Sequence, residues 1–145
     1  MIDTFTPEIR SIIMRNIRST STNPERSVIR LAKIIRPYFQ VNSLRLPGKP
    51  DIAFFKLKRA IFVHGCFWHQ HIVCKRSNMP KSNLLYWGPK LARNVQRDRE
   101  VKAELHRMGW RTLTIWECQC YNTALVKKRL IKFLSIGVIK KDFMH

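Results

Sequence analysis

The chain is 145 residues long with 45% apolar side chains, enough to bury a core without staples and too apolar for disorder. Its 28 Lys and Arg against 9 acids leave a net charge of +19, which favours a nucleic acid, through neutralised phosphates, over an anionic membrane or an acidic protein. No apolar run reaches the ~20 residues that span a bilayer, and the start MIDTFTPEIR has no charged-then-apolar signal pattern, so a cytoplasmic protein is expected.

Thr6 followed by Pro7 predicts a first helix from about residue 7, with Ile9, Ile13 and Ile17 at helical spacing. The polar STSTN is a loop. Asn23 and Pro24 open a second helix with Val28, Leu31, Ala32 and Ile35 on one face, ending before Pro37. YFQVN reads as a short strand and RLPGKP as a tight loop. DIAFF and AIFV, separated by KLKR, read as a hairpin. A polar stretch carrying Tyr86 and Trp87 then leads into a long helix over roughly residues 90–108, stopped by Gly109. WRTLTIWE is a strand, and Asn122 caps a last helix holding Leu125, Leu130, Ile131 and Phe133. This order predicts a single α/β domain over residues 1–145, its sheet mixed because the hairpin makes part of it antiparallel.

With so few acids, their places are informative. Asp51 stands where the PGKP loop hands over to a strand, either as a turn former or as a carboxylate open to a cation. Glu25 suits the first turn of its helix, yet residues 25, 28, 32 and 35 share one face, so it should point along the core edge. On the long helix, Leu91, Val95, Val101, Leu105 and Met108 define the buried stripe, and Asp98 falls on it. A carboxylate there must be paired, with an arginine or with a functional group.

The stretch HGCFWHQHIVC, residues 64–74, concentrates the remaining chemistry. In a reducing compartment its cysteines point to metal rather than to disulfides. Cys66, His71 and Cys74 could supply three zinc ligands and leave the fourth to a distant residue, Cys118 and Cys120 being the other thiols. His69 competes with His71, and spacing alone does not choose between them. A pinned loop would force Phe67 and Trp68 outward, and aromatic wedges on a basic surface are a means of entering the base stack; core packing is the plain alternative. A histidine left over beside a carboxylate suits hydrolysis, with Mg²⁺ on the acid.

The segments MRNIRSTSTNPE, LPGKPD, FVHGCFWH with a following His and Cys, NVQRDR and GWRTLTIWEC resemble the very-short-patch repair endonucleases, bacterial enzymes that nick DNA beside a thymine mispaired with guanine. The resemblance runs from about Arg10 to the last helix. It implies the restriction-endonuclease-like fold, a mixed sheet flanked by helices with one structural zinc. It implies Asp51 as the Mg²⁺ ligand with the backbone carbonyl of Val63, His69 as general base oriented by Asp98, and His64 and Glu25 around the metal-bound waters and the phosphate. Zinc would fall to Cys66, His71, Cys74 and Cys118, and Cys120 receives no role. Phe67, Trp68 and Trp87 would wedge into the stack from one groove, while Met14, on the N-terminal helix, approaches from the other. The implied partner is double-stranded DNA with a T:G mismatch, cut by a monomer, with other mismatch-repair proteins as further candidates. Two other readings remain open: an endonuclease of this fold without mismatch preference, and a zinc-bearing DNA-binding module without catalysis. A pure binder has no need of inward carboxylates, which counts against the last.

Overall fold

The computed structural model describes residues 22–72 and 74–142, with side chains to residue 135; the expected helix from Pro7 and Met14 on it lie outside the described residues. Helix α1 (Asn23–Ile35) starts where Asn23 and Pro24 predict it, with Thr22 as its cap: the hydroxyl accepts the Glu25 N–H at 3.3 Å. Val28 and Ala32 are fully buried, and the helix stops ahead of Pro37. Strand β1 (Gln40–Val41) is short and lies at the sheet edge. The hairpin follows as β2 (Ile52–Phe54) and β3 (Arg59–His64), antiparallel with Ile52 opposite Ile61.

Helix α2 (Leu84–Arg107) begins at Leu84 rather than near residue 90. Pro89 falls in its second turn, where the missing N–H forfeits a single helical bond, so the proline does not delay the start. Tyr86 and Trp87 thereby join the first turn, their N–H groups donating to the Asn83 carbonyl. The far end is the stop that Gly109 predicts. Gly109 has φ +84°, its N–H bonds the His106 carbonyl and the Trp110 N–H bonds that of Leu105, the paired bonds of a Schellman close. Met108 sits beyond the last turn and is 44% exposed, so it does not belong to the buried stripe.

Strand β4 (Arg111–Trp116) pairs parallel with β3, and the order β1-β2-β3-β4 makes the sheet mixed, as expected. A 3-10 turn (Glu117–Tyr121) leads to helix α3 (Thr123–Asp142), capped by Asn122, whose side chain accepts the Leu125 N–H at 3.1 Å. Leu125 and Ile131 stay exposed; Val126, Leu130 and Leu134 form the buried stripe.

Helices cover both sheet faces. Val28, Ala32, Val126, Leu130 and Leu134 pack with Ile52, Phe54, Ile61 and Ile115 on one side. Leu105, Trp110 and the half-buried Val101 pack with Ala53, Ala60 and Phe62 on the other. Burial on both faces is why the central strands read as continuous apolar runs rather than alternating ones. The PGKP loop presses so close to α2 that a Cβ at Gly48 would lie 2.4 Å from a Val101 methyl, and φ at Gly48 is +74°. That contact fixes the approach to Asp51. Among the described residues, no helix is long and apolar enough to cross a membrane.

Candidate active site and metal cluster

The first turn of α1, the loop before β2, the end of β3 and the middle of α2 meet around a cleft of about 340 Å³. It gathers six residues singled out in the sequence: Glu25, Asp51, Val63, His64, His69 and Asp98. Glu25 extends the apolar face of its helix and is only 5% exposed. The antiparallel hairpin carries Asp51 alongside Val63, whose backbone N–H donates to the carboxylate at 2.6 Å. Burial pushes the Asp51 carboxyl up to about 7; the Val63 bond opposes this, and the neighbouring Glu25 adds to it. Two carboxylates held together at low exposure are costly until a cation joins them, and oxygen donors suit a hard divalent ion.

Opposite, His69 Nδ1 lies 2.7 Å from Asp98 Oδ2. The partner required for Asp98 is thus a histidine rather than an arginine. A carboxylate only accepts, so Nδ1 carries the proton and the Nε2 lone pair stays available. His64 stacks on His69 with centroids 3.8 Å apart and planes 6° apart. Burial, and then the charge of His69, push His64 down to about 3. The ligand atoms of His64, His69 and Asp98 lie within 4.8 Å of one another. Metal bonds to imidazole lie in the ring plane, and the in-plane lone pairs of two parallel stacked rings do not converge, so this trio is a hydrogen-bonded pair with a stacked neighbour.

Cys66, His71, Cys74 and Cys118 form the second cluster, their ligand atoms also within 4.8 Å of one another. His71 Nδ1 is 3.7 Å from Cys66 Sγ and 3.5 Å from Cys118 Sγ. Metal–sulfur bonds of ~2.3 Å and metal–nitrogen bonds of ~2.0–2.1 Å at tetrahedral angles set neighbouring S and N ligands about 3.6 Å apart, so the four groups fit a tetrahedral ion. Burial pushes the Cys66 thiol up to about 12, whereas the Arg76 backbone N–H lowers that of Cys74. The choice between histidines that spacing left open has a geometric answer: His71 turns to the thiols and His69 to Asp98. Cys118 arrives on the turn after β4, and that turn is tied to the loop by Arg76, which reaches Glu117 at 3.2 Å.

The loop also carries Phe67 and Trp68. Their rings pack on each other at 5.1 Å and on Trp87 at 5.3 and 6.0 Å. Trp87, at the start of α2, is buried to 8% exposure, while Phe67 and Trp68 are half-buried. The pair is therefore not forced fully outward; each ring shields the next.

Residues 2–76 match the family described as DNA mismatch endonuclease Vsr. The chain is 40% identical over 135 residues to the type II nicking enzyme V.XorIIP of Xanthomonas oryzae pv. oryzae, covering 93% of this chain and 98% of that protein. The DNA mismatch endonuclease Vsr of Escherichia coli K12 is 36% identical over 118 residues, 81% of this chain and 75% of that enzyme. The type II nicking enzyme V.NmeAIP of Neisseria meningitidis serogroup A is 38% identical over 130 residues, 90% of this chain and 92% of that protein. This chain belongs to the Vsr family.

In this Vsr-family chain several residues not singled out in the sequence hold the aromatic loop or line the cleft. Asn94 Nδ2 donates to the Trp68 carbonyl at 3.1 Å. Gly65 leaves space for the Trp68 indole, which would lie 3.3 Å from a Cβ there. Lys102 lines the cleft and lowers the His64 pKa further, and Arg97 and Lys49 are also in the lining. Asn94 and Lys102 stand four residues either side of Asp98, on the same helical face, so that spacing was the signal that could have found them. Lys49 had no such signal.

Proposed function

We propose that this chain nicks one strand of duplex DNA on the 5′ side of a thymine mispaired with guanine, by Mg²⁺-dependent hydrolysis that leaves a 5′-phosphate and a 3′-hydroxyl. The mispair is the product of 5-methylcytosine deamination, and the nick lets the thymine be replaced. One observation carries the reading: the His69–Asp98 pair and the Glu25–Asp51 carboxylates line a single cleft, and His69 shares its loop with Phe67 and Trp68. Relatives named as nicking enzymes support cleavage of one strand, which suits a monomer acting in the cytoplasm, with other mismatch-repair proteins as candidate partners. Zn²⁺ suits the thiol-rich cluster of Cys66, His71, Cys74 and Cys118 and would pin the loop.

Mg²⁺ at Asp51 and the Val63 carbonyl would supply a Lewis acid at the phosphate and acidify bound water. The chain's own residues do the rest. Asp98 holds the His69 ring with Nε2 free. His69 Nε2 takes a proton from the attacking water as its oxygen bonds phosphorus and the bond to the 3′ oxygen breaks; solvent returns a proton to that oxygen. His64 is neutral at neutral pH, so it hydrogen-bonds water or phosphate instead of serving as a cationic acid. Glu25 keeps waters near Asp51 oriented. Phe67, Trp68 and Trp87 enter the stack at the mismatch, and Met14 approaches from the opposite groove. Stacking of these rings on bases, ~1–3 kcal/mol per base, offsets the unstacking of a few kcal/mol.

The test is a strand-resolved nicking assay with Mg²⁺ on labelled duplexes that differ only in one pair: T:G, T:A or C:G. Cutting of the T strand alone, 5′ of the mismatched thymine, is expected. Equal cutting of all three would leave a general nuclease, and tight binding without cutting would leave a recognition module.

A further inference from the structure

The metal cluster and the His69–Asp98 pair are joined by a continuous file of rings. In the parallel register of β3 and β4, His64 pairs with Trp116, so the last residues of the two strands meet across the sheet. Trp116 turns toward two histidines. His71 lies flat against it, centroids 4.2 Å and planes 9° apart, and His64 stands edge-on at 5.4 Å and 73°. His64 then stacks on His69 at 3.8 Å, and His69 reaches Asp98. The backbone of Trp116 is fixed separately. Its N–H donates to Gln119 Oε1 at 3.1 Å, and Arg129 of α3 donates both to that oxygen at 2.6 Å and to the Thr114 carbonyl at 3.0 Å.

An imidazole ring rotates easily about its last torsion, which is broad and nearly two-fold. His71 must hold Nδ1 toward two thiols, and a small rotation carries it off them. His69 has one strong in-plane partner and is 29% exposed. A flat neighbour is what removes the remaining freedom. Trp116 supplies it directly to His71; His64 supplies it to His69, and Trp116 buttresses His64 edge-on. Space filling does not explain the residue, since Trp116 is only half-buried and lies outside both apolar clusters.

We propose that Trp116 is a positioning residue that orients both the metal ligand His71 and, through His64, the dyad histidine His69. The proposal rests on the reading of His69 as base and of the Cys–His cluster as a metal site. It makes metal binding and nicking share one structural support.

The variants Trp116→Leu and Trp116→Phe test it in the metal-loaded protein. Four readouts are needed: metal release to a chelator, the visible spectrum after Co²⁺ substitution, single-turnover nicking, and affinity for the mismatched duplex. Leu fills space without a flat face. It should speed metal release, alter the Co²⁺ spectrum and slow nicking by about 10–100-fold, as misplacement of a reacting group by an ångström or less does, with duplex affinity little changed. Phe should restore most of the rate and the spectrum. Gln119→Ala keeps the indole and removes the oxygen that both the Trp116 N–H and Arg129 bond, so it should move metal release and nicking in the same direction; this variant decides the matter if Leu does not fold. Equal loss in the Leu and Phe variants, or nicking and spectrum unchanged in Leu, overturns the proposal. His69→Ala runs alongside. Wild-type nicking by His69→Ala would remove the base assignment and with it the dyad half of the proposal, while the Co²⁺ spectrum of the Leu variant still decides the metal half.

Discussion

Replacing Asp98 by Asn preserves the size of the side chain but removes the charge that His69 Nδ1 faces at 2.7 Å. A hydrogen bond to a charged group is worth ~1.5–3 kcal/mol. Here the two side chains are 29% and 21% exposed, so solvent screening places the pair near the lower end, about 1.5 kcal/mol. In the proposed mechanism that interaction grows as His69 takes a proton in the transition state, and about 1.4 kcal/mol is a factor of ten in rate. Loss of a preferred tautomer adds to it, so Asp98→Asn should slow the chemical step by about 10–100-fold. His69→Ala removes the proposed base and should cost about 10²–10⁴-fold. The double variant should be no slower than His69→Ala, because Asp98 then has no ring to orient. The assay is single-turnover nicking of a T:G duplex with enzyme in excess, and with duplex affinity measured in parallel so that binding and chemistry are separated. Losses that multiply in the double variant would mean that Asp98 acts on its own, and a wild-type rate for Asp98→Asn would refute the pairing as a working unit.

Gly48→Ala places a Cβ at φ +74° and 2.4 Å from a Val101 methyl. Left-handed strain of ~1–2 kcal/mol and overpacking of ~1–3 kcal/mol should lower Tm by roughly 5–20 °C, with partial recovery in Gly48→Ala/Val101→Ala; thermal unfolding checks both, and an unchanged Tm refutes the close approach. Stripping metal from the Cys66, His71, Cys74 and Cys118 cluster should abolish nicking and weaken mismatch binding together, since His69, Phe67 and Trp68 share that loop; metal content measured beside both activities tests this, and nicking that survives complete metal loss counts against it. The Asp51 carboxyl, raised from 3.8 to about 7 in the folded chain, keeps a proton that the unfolded chain loses above its usual range. Without divalent cations, stability should therefore fall as pH rises from about 4 to 7 and level off above that. A cation must displace the same proton, so the Tm increment from Mg²⁺ should grow with pH up to about 7, and an increment independent of pH between 5 and 7 would exclude Asp51 as the ligand.

What the sequence made legible depended on which signals were local. Asn23 with the fixed φ of Pro24, and Asn122 with its capping side chain, mark helix starts, and Gly109 marks a stop, so α1 and α3 begin, and α2 ends, where those residues place them. The start of α2 was misplaced because Gly88-Pro89 reads as a breaker; that the helix begins at Leu84 and runs through the proline, forfeiting one backbone bond, is visible only once Asn83 is seen to begin the turn. The stripe argument brought Asp98 to the cleft since period arithmetic needs no tertiary contact, but it overreached at Met108, one position past the last turn. Which histidine faces the thiols is set by the path of the loop, with Gln70 at φ +50° between His69 and His71. No spacing rule encodes that. Trp116 carried no signal either: a tryptophan ending an apolar strand reads as core, and only the strand register shows the two histidines beside it.

That register also explains why the two sites lie side by side. In sheets with parallel strands, ligands gather at the carboxyl ends, where successive loops leave the sheet together. Here β3 and β4 are the parallel pair among the described strands, and both clusters hang from its carboxyl end: His64 and the loop through Cys74 from β3, Trp116 and Cys118 from β4. The antiparallel partner β2 contributes at its opposite terminus, which is how Asp51 comes level with Val63. A slip of β4 by one residue would turn Trp116 to the other face of the sheet and place Ile115 or Glu117 beside His64. The stack on His71 would be lost and Cys118 would be carried away from its three partners. The pairing of Ile115 with Val63, buried between α1 and α3 on one face, is what forbids the slip. Packing of an apolar residue on the core side thus sets the alignment of the His69–Asp98 pair and the Cys–His cluster at the far end of the strands.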